Sequence, residues 1–142
     1  MQTDTDIASW RVAMLRTGYG IAALGGLALA VLAASGGMNE VFDGGTRAAH
    51  AIAQLLGAMT AICLAVGVCL FVFLAFRPYW WGKLFCLAAA TSWLGFGAQS
   101  YFAFGAPTVA AVALAAGLAV LLAGLLHQIA DPRFSGPYLR PA

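Results

Sequence analysis

The chain has 142 residues, 63% of them hydrophobic and only 8% charged, and its formal net charge is +2. Because soluble domains contain roughly 25% charged residues, this composition excludes an ordinary water-soluble domain. A net charge this small does not indicate a nucleic-acid partner. We therefore predict a single, all-α integral membrane domain over residues 1–142, whose main partner is the lipid bilayer.

The N-terminal residues predict the first membrane-spanning helix. Arg11 and Arg16 precede the apolar run of residues 18–34, a pattern that also resembles a cleavable signal peptide. The run is long enough to cross a bilayer, since a crossing needs roughly 20 apolar residues. We therefore expect a retained first span over residues 12–35.

Three further spans are predicted from the distribution of charge and proline. No charged residue occurs between Ala48 and Phe76, and the proline of Arg77-Pro78 disfavours continuation of the helix. Residues 84–130 contain no Asp, Glu, Lys or Arg and are too long for one crossing, so Gly105-Ala106-Pro107 is expected to form a tight turn. The predicted elements are spans at about 47–76, 80–103 and 107–129 and a tail at 131–142.

The positively charged residues predict the orientation of the four spans. With the N-terminus inside, six of the seven fall on the cytoplasmic side, namely Arg11, Arg16, Arg77, Lys83, Arg133 and Arg140. Only Arg47 falls on the outer side. Cytoplasmic loops carry the excess of Lys and Arg, so we expect both termini to be cytoplasmic, in a bacterial inner membrane.

Each predicted span has one face of small or polar residues, which lets helices approach closely in lipid. These faces include Ala22, Ala30 and Ala33 in the first span, Gly57 and Ala61 in the second, Ala88, Thr91, Ser92, Gly95 and Gln99 in the third, and Ala110, Ala113, Gly117 and Gln128 in the fourth. The pattern predicts a four-transmembrane-helix bundle.

Polar residues near the outer ends of the spans are candidates for a binding site. Polar groups within membranes often mark functional sites, because leaving them unpaired is costly. The candidate ligand-binding residues are Arg47, His50, Gln54, Gln99, Glu40 and Asp43, together with Trp93 near mid-membrane. The alternative is structural: Gln54 and Gln99 pair with each other or with backbone, Arg47 pairs with a loop acid, and Trp93 needs only one acceptor.

The two histidines are predicted to lie at opposite ends of the bundle, about 30 Å apart. They therefore cannot share one haem iron or another metal ion within a monomer. His127 is interpreted as an interfacial residue near a helix C-terminus. No G-x-S-x-G, H-E-x-x-H or P-loop motif occurs, so no catalytic or metal-binding residue is predicted and no cofactor is indicated.

The layout resembles that of the small DoxX-like four-helix membrane proteins. The shared features are Asn39-Glu40 in the first loop, Arg47 at the start of a Gly/Ala-rich second span, Arg77-Pro78 at its end, and Gly105-Ala106-Pro107 after the third span. The similarity covers about residues 10–128. It implies a four-crossing bundle, and some members of that family are associated with quinone-linked sulfur oxidation, but it carries over no catalytic motif.

We expect a non-enzymatic membrane protein, either an accessory subunit of a larger membrane complex or a homo-oligomer. The alternative is a binder or carrier of a small apolar molecule, a quinone or a lipid, in the outer polar pocket. A weaker alternative is an oxidoreductase subunit that uses Cys63, Cys69 and Cys86, although the sequence has no C-x-x-C pair and such cysteines usually serve as small apolar residues.

Overall fold

The computed structural model describes residues 2–36, 45–77, 79 and 81–130. All regular secondary structure in these ranges is helical, which confirms the predicted all-α class. The helices are α1 (Gln2–Ala34), α2 (Arg47–Phe76), α3 (Trp81–Phe102) and α4 (Pro107–Ala130).

Short polar and glycine-containing segments end these helices. Thr46 caps α2, because its side-chain oxygen accepts a hydrogen bond of 3.0 Å from the backbone N–H of Ala49. Gly105 adopts a φ of +60° in the turn between α3 and α4, a conformation that glycine tolerates best. In the same turn, the N–H of Ala106 donates to the carbonyl of Ser100 at 2.9 Å.

Three of the helices are long and apolar enough to cross a membrane: α1 from Trp10 to Ala34, α2 and α4. Within the described part of the chain, α3 does not belong to this group, although it has 22 residues. Its sequence carries Lys83, Gln99 and Ser100, which lower its mean hydropathy. The chain is therefore a helical membrane protein with three clear candidate spans.

The helices pack side by side in the order α2, α1, α4, α3. The close interfaces join α1 to α2, α1 to α4, and α3 to α4, whereas α2 and α3 are separated by a cleft. We call the side with the α3–α4 turn the hairpin end and the opposite side the Trp81 end. Only 17% of the most apolar window of α2 is buried, against 44% in α1 and 39% in α4, so α2 offers most of its surface to its surroundings.

The interface between α3 and α4 depends on two glycines that face leucines of the other helix. A Cβ atom at Gly97 would lie 2.8 Å from Cγ of Leu114 and 3.1 Å from its backbone nitrogen. A Cβ atom at Gly117 would lie 2.7 Å from Cγ of Leu94 and 3.1 Å from its backbone nitrogen. This reciprocal packing brings the two backbones close together, as small residues do between membrane helices.

The predicted packing faces are right for α1 and wrong for α3. In α1 the small residues Ala22, Ala30 and Ala33 are buried, while Leu24, Leu27 and Val31 on the opposite face are exposed. In α3 the predicted stripe is largely exposed, and the buried residues are Gly82, Lys83, Cys86, Ala90, Gly97 and Ser100. The physical reason is the fit of Leu94 and Gly97 against α4, which rotates the predicted stripe away from the interface.

Candidate functional site

The predicted outer cluster is only partly assembled among the described residues. His50 and Gln54 lie one helical turn apart, and their side-chain Nε2 atoms are 3.2 Å apart, a hydrogen bond. Arg47 is exposed at the start of α2. Glu40 and Asp43 lie outside the described residues.

The two glutamines of this cluster are not paired with each other. Gln54 lines a pocket of about 600 Å³ between α1 and α2, together with Ser35 and Gly36. Gln99 is exposed on α3, and its side chain makes no hydrogen bond with any described residue. The structure therefore brings His50 and Gln54 together without Gln99, and a ligand-binding role for the cluster stays a prediction.

A cleft with a volume of about 700 Å³ lies between α2 and α3. Its floor is Leu29 of α1, and its walls are mainly aliphatic and aromatic. The walls include Leu56, Met59, Leu64, Phe85, Trp93 and Phe96. The few polar atoms belong to Thr60, Cys63, Ser92 and the Trp93 indole.

The cleft lies at mid-height of α2. Its wall in α2 runs from Leu56 to Gly67, and each of these lies nine positions from the nearer end of Arg47–Phe76 (56 − 47 and 76 − 67). Nine residues correspond to about 13 Å of helix. If α2 crosses a bilayer, the cleft therefore opens toward the hydrocarbon interior and away from both headgroup layers.

Among the described residues, Trp93 is the predicted ligand-binding residue that lines this cleft. Its six-membered ring approaches Gly26 of α1, where an added Cβ atom would lie 3.1 Å away. Phe71 contacts the indole edge-to-face, with ring centroids 6.1 Å apart. These contacts fix the indole as one wall of the cavity, which is compatible with the predicted role in stacking on a ligand.

A buried pair of hydrogen-bonded side chains lies toward the Trp81 end, where α1, α3 and α4 meet. The Tyr19 hydroxyl and Nδ1 of His127 are 2.5 Å apart and form a hydrogen bond. Both side chains have 0% exposure. The Cys86 thiol interacts with the same hydroxyl.

His127 lies in the last turn of α4, as predicted, and is buried in the protein; its position at the membrane interface stays a prediction. His127 lies in the protein core because α1 packs over the end of α4 and supplies Tyr19 as its partner. Sequence reasoning missed the pair, since it considered His127 only against its own helix end. Gly82 of α3 packs against the same group, since an added Cβ atom there would collide with the Tyr19 hydroxyl.

No metal-binding group of three or more His, Cys, Asp or Glu side chains occurs among the residues described.

Comparisons with known proteins give no relative. No family model, no curated protein and no solved structure matches the chain. The resemblance to DoxX-like proteins accordingly stays a prediction, and function has to be inferred from geometry.

Proposed function

We propose that this membrane protein binds a small apolar molecule, a quinone or a lipid, in the cleft between α2 and α3. The observation that carries the proposal is the cavity of about 700 Å³ with its apolar and aromatic walls. Sites for small molecules have volumes of roughly 300–1,000 Å³, mostly apolar walls and a few polar groups that orient the ligand. The position of the cleft at mid-height of α2 favours a ligand that partitions into hydrocarbon.

The polar atoms of the cleft favour binding without catalysis. Thr60 already donates its hydroxyl hydrogen to the carbonyl of Leu56 at 2.7 Å, within its own helix. The Trp93 indole and the Ser92 hydroxyl offer single hydrogen bonds, enough to orient a carbonyl or ester oxygen. We therefore propose a binder or carrier and assign no catalytic residue.

Filling the cleft tests this proposal. A Cβ atom at Gly67 would have no neighbour within 4 Å, so Gly67→Leu places a side chain in the cleft without a clash. We expect an apolar molecule to be retained by the wild type after mild detergent extraction, and about tenfold less of it by Gly67→Leu, equivalent to about 1.4 kcal/mol. Mass spectrometry of organic extracts from the purified protein measures the retained amount.

Gly95→Leu is the matched control for this variant. Gly95 is exposed on α3, lines none of the described cavities, and has the same open space around a Cβ atom. The Gly95→Leu protein should retain as much of the apolar molecule as the wild type does. Retention by Gly67→Leu equal to that of Gly95→Leu would contradict the proposed site.

The exposure of α2 favours a second candidate function, as an accessory subunit of a membrane complex or as a homo-oligomer. Only 17% of the most apolar window of α2 is buried, so most of this helix is available to lipid or to another chain. Native mass measurement of the same detergent preparations separates the two proposals. A defined oligomer or a co-purified subunit, with no apolar molecule retained, favours the second.

We further propose that α3 is the fourth crossing and that both termini are cytoplasmic in a bacterial inner membrane. A helix of 22 residues is about 33 Å long, which is enough to cross the hydrocarbon layer. The tight turn at Gly105 reverses the chain, so that α4 runs antiparallel to α3. The excess of Lys and Arg at the Trp81 end supports this orientation.

Cysteine labelling tests the orientation. In a variant with Cys63, Cys69 and Cys86 replaced by Ala, single cysteines are introduced by Thr46→Cys or Arg77→Cys. We expect a membrane-impermeant maleimide added to intact spheroplasts to label only the Thr46→Cys protein. Labelling of both positions, or of Arg77→Cys alone, would refute the four-crossing topology with cytoplasmic termini.

A further inference from the structure

A groove lies between α1 and α2 toward the Trp81 end. It is distinct both from the α2–α3 cleft and from the pocket beside Gln54. Its volume is about 540 Å³, and its walls are aliphatic along almost their whole length. Ile21, Leu24 and Leu27 of α1 form one side, and Val68 and Val72 of α2 form the other. An apolar groove of this kind accommodates a hydrocarbon chain.

The groove has a positive charge at one end only. Arg16 and the neighbouring Thr17 line its end nearest the Trp81 end of the protein. The guanidinium carbon of Arg16 lies 5.6 Å from the ring centroid of Phe76, the last residue of α2. This cation–π contact keeps the charge at the level where α2 ends.

The length of the groove matches one leaflet of a bilayer. Arg16 and Leu27 are 11 positions apart in α1 (27 − 16). They span about 16 Å of helix, roughly half of the 30 Å hydrocarbon thickness. A single acyl chain that begins beside Arg16 therefore reaches the end of the groove near the bilayer centre.

We infer that this groove binds an anionic phospholipid, with the lipid phosphate on Arg16 and one acyl chain along α1. Charge complementarity selects this occupant, because a guanidinium binds a phosphate through two parallel hydrogen bonds. The Thr17 hydroxyl can donate one more. With a neutral apolar ligand, no anion from the ligand or from the described side chains would face the cation at the mouth of the groove. The inference goes beyond the proposed function and involves different residues.

Lipid titration of the purified full-length protein tests the inference. Dioleoyl phosphatidylglycerol and dioleoyl phosphatidylcholine are added separately in mild detergent, and bound lipids are counted by native mass spectrometry. We expect preferential binding of phosphatidylglycerol by the wild type. Arg16→Gln should weaken it about fivefold, the effect of one interfacial cation, and should weaken phosphatidylcholine binding less, because the choline cation of that lipid offsets the charge of its phosphate.

A filling variant and two controls make the assignment specific to the groove. Gly20 lines it, and a Cβ atom there would have no neighbour within 4 Å, so Gly20→Leu should weaken binding of both lipids. Arg77→Gln removes a cation at the same end, from a residue outside the groove lining, and Gly95→Leu repeats the glycine substitution elsewhere. Both controls should bind phosphatidylglycerol as the wild type does.

Two results would overturn the inference. An equal loss in Arg16→Gln and Arg77→Gln would mean that lipid is attracted by the general surface charge. Unchanged binding in both Arg16→Gln and Gly20→Leu would mean that the groove holds no lipid. Neither result bears on the cleft between α2 and α3, because Gly67→Leu reports on that cavity separately.

Discussion

Replacing Gly97 by leucine is expected to lower the free energy of unfolding by about 3 kcal/mol, the upper range for overpacking a close interface. A Cβ atom at this position already lies 2.8 Å from Cγ of Leu114 and 3.1 Å from its backbone nitrogen. The side chain of Leu114 can change rotamer, but its backbone nitrogen can move away only if α3 and α4 separate. Thermal or denaturant unfolding in detergent micelles, followed by circular dichroism, measures the loss.

Gly95→Leu, two residues away on the same helix, separates this effect from helix propensity. A Cβ atom at Gly95 has no neighbour within 4 Å, so the larger side chain finds open space. Leucine is intrinsically better than glycine in a helix by up to about 1 kcal/mol, so this variant should be as stable as the wild type or slightly more stable. Equal stability of the two variants would show that α3 and α4 are not so closely packed.

The second large effect is expected from the hydrogen bond between Tyr19 and His127. Tyr19→Phe removes the hydroxyl and leaves Nδ1 of a fully buried imidazole without this partner, which should cost about 1–3 kcal/mol. His127→Leu should cost a similar amount, because the Tyr19 hydroxyl then loses its nitrogen partner. The same unfolding assay measures both variants.

A double-mutant cycle isolates the contribution of the pair. Replacing both partners by apolar groups leaves neither stranded, so Tyr19→Phe with His127→Leu should cost less than the two single changes together, by about 1 kcal/mol. Tyr101→Phe is the control, since Tyr101 is exposed at the end of α3. Strict additivity would indicate that the two side chains touch without stabilising each other.

The helical class and three of the four spans could be predicted because they depend on local composition. A long run without charge specifies a membrane helix with little help from tertiary contacts. The buried face of α1 was predictable for a related reason, since its small residues recur at helical spacing between large ones. By contrast, α3 has small residues on several faces, and composition alone does not decide which of them meets α4.

The cleft and the buried histidine depend on which helices are neighbours, and the sequence does not specify this. Trp93 was identified from its depth alone, but the cavity beside it exists because α2 and α3 do not pack closely. His127 was interpreted as interfacial from its position near the end of its own helix, and its partner, Tyr19, is 108 positions away in the chain. Predicting the pair would have required knowing that α1 packs against α4.

The interlocked glycines and leucines of α3 and α4 have a consequence for how the protein enters its membrane. α3 carries a buried lysine and several polar side chains, and among the four described helices it is the one without a segment apolar enough to be a clear candidate span. Partitioning such a helix into hydrocarbon alone is unfavourable, whereas α4 partitions readily. The two should therefore insert together as a helical hairpin, with the favourable partitioning of α4 offsetting the cost of inserting α3.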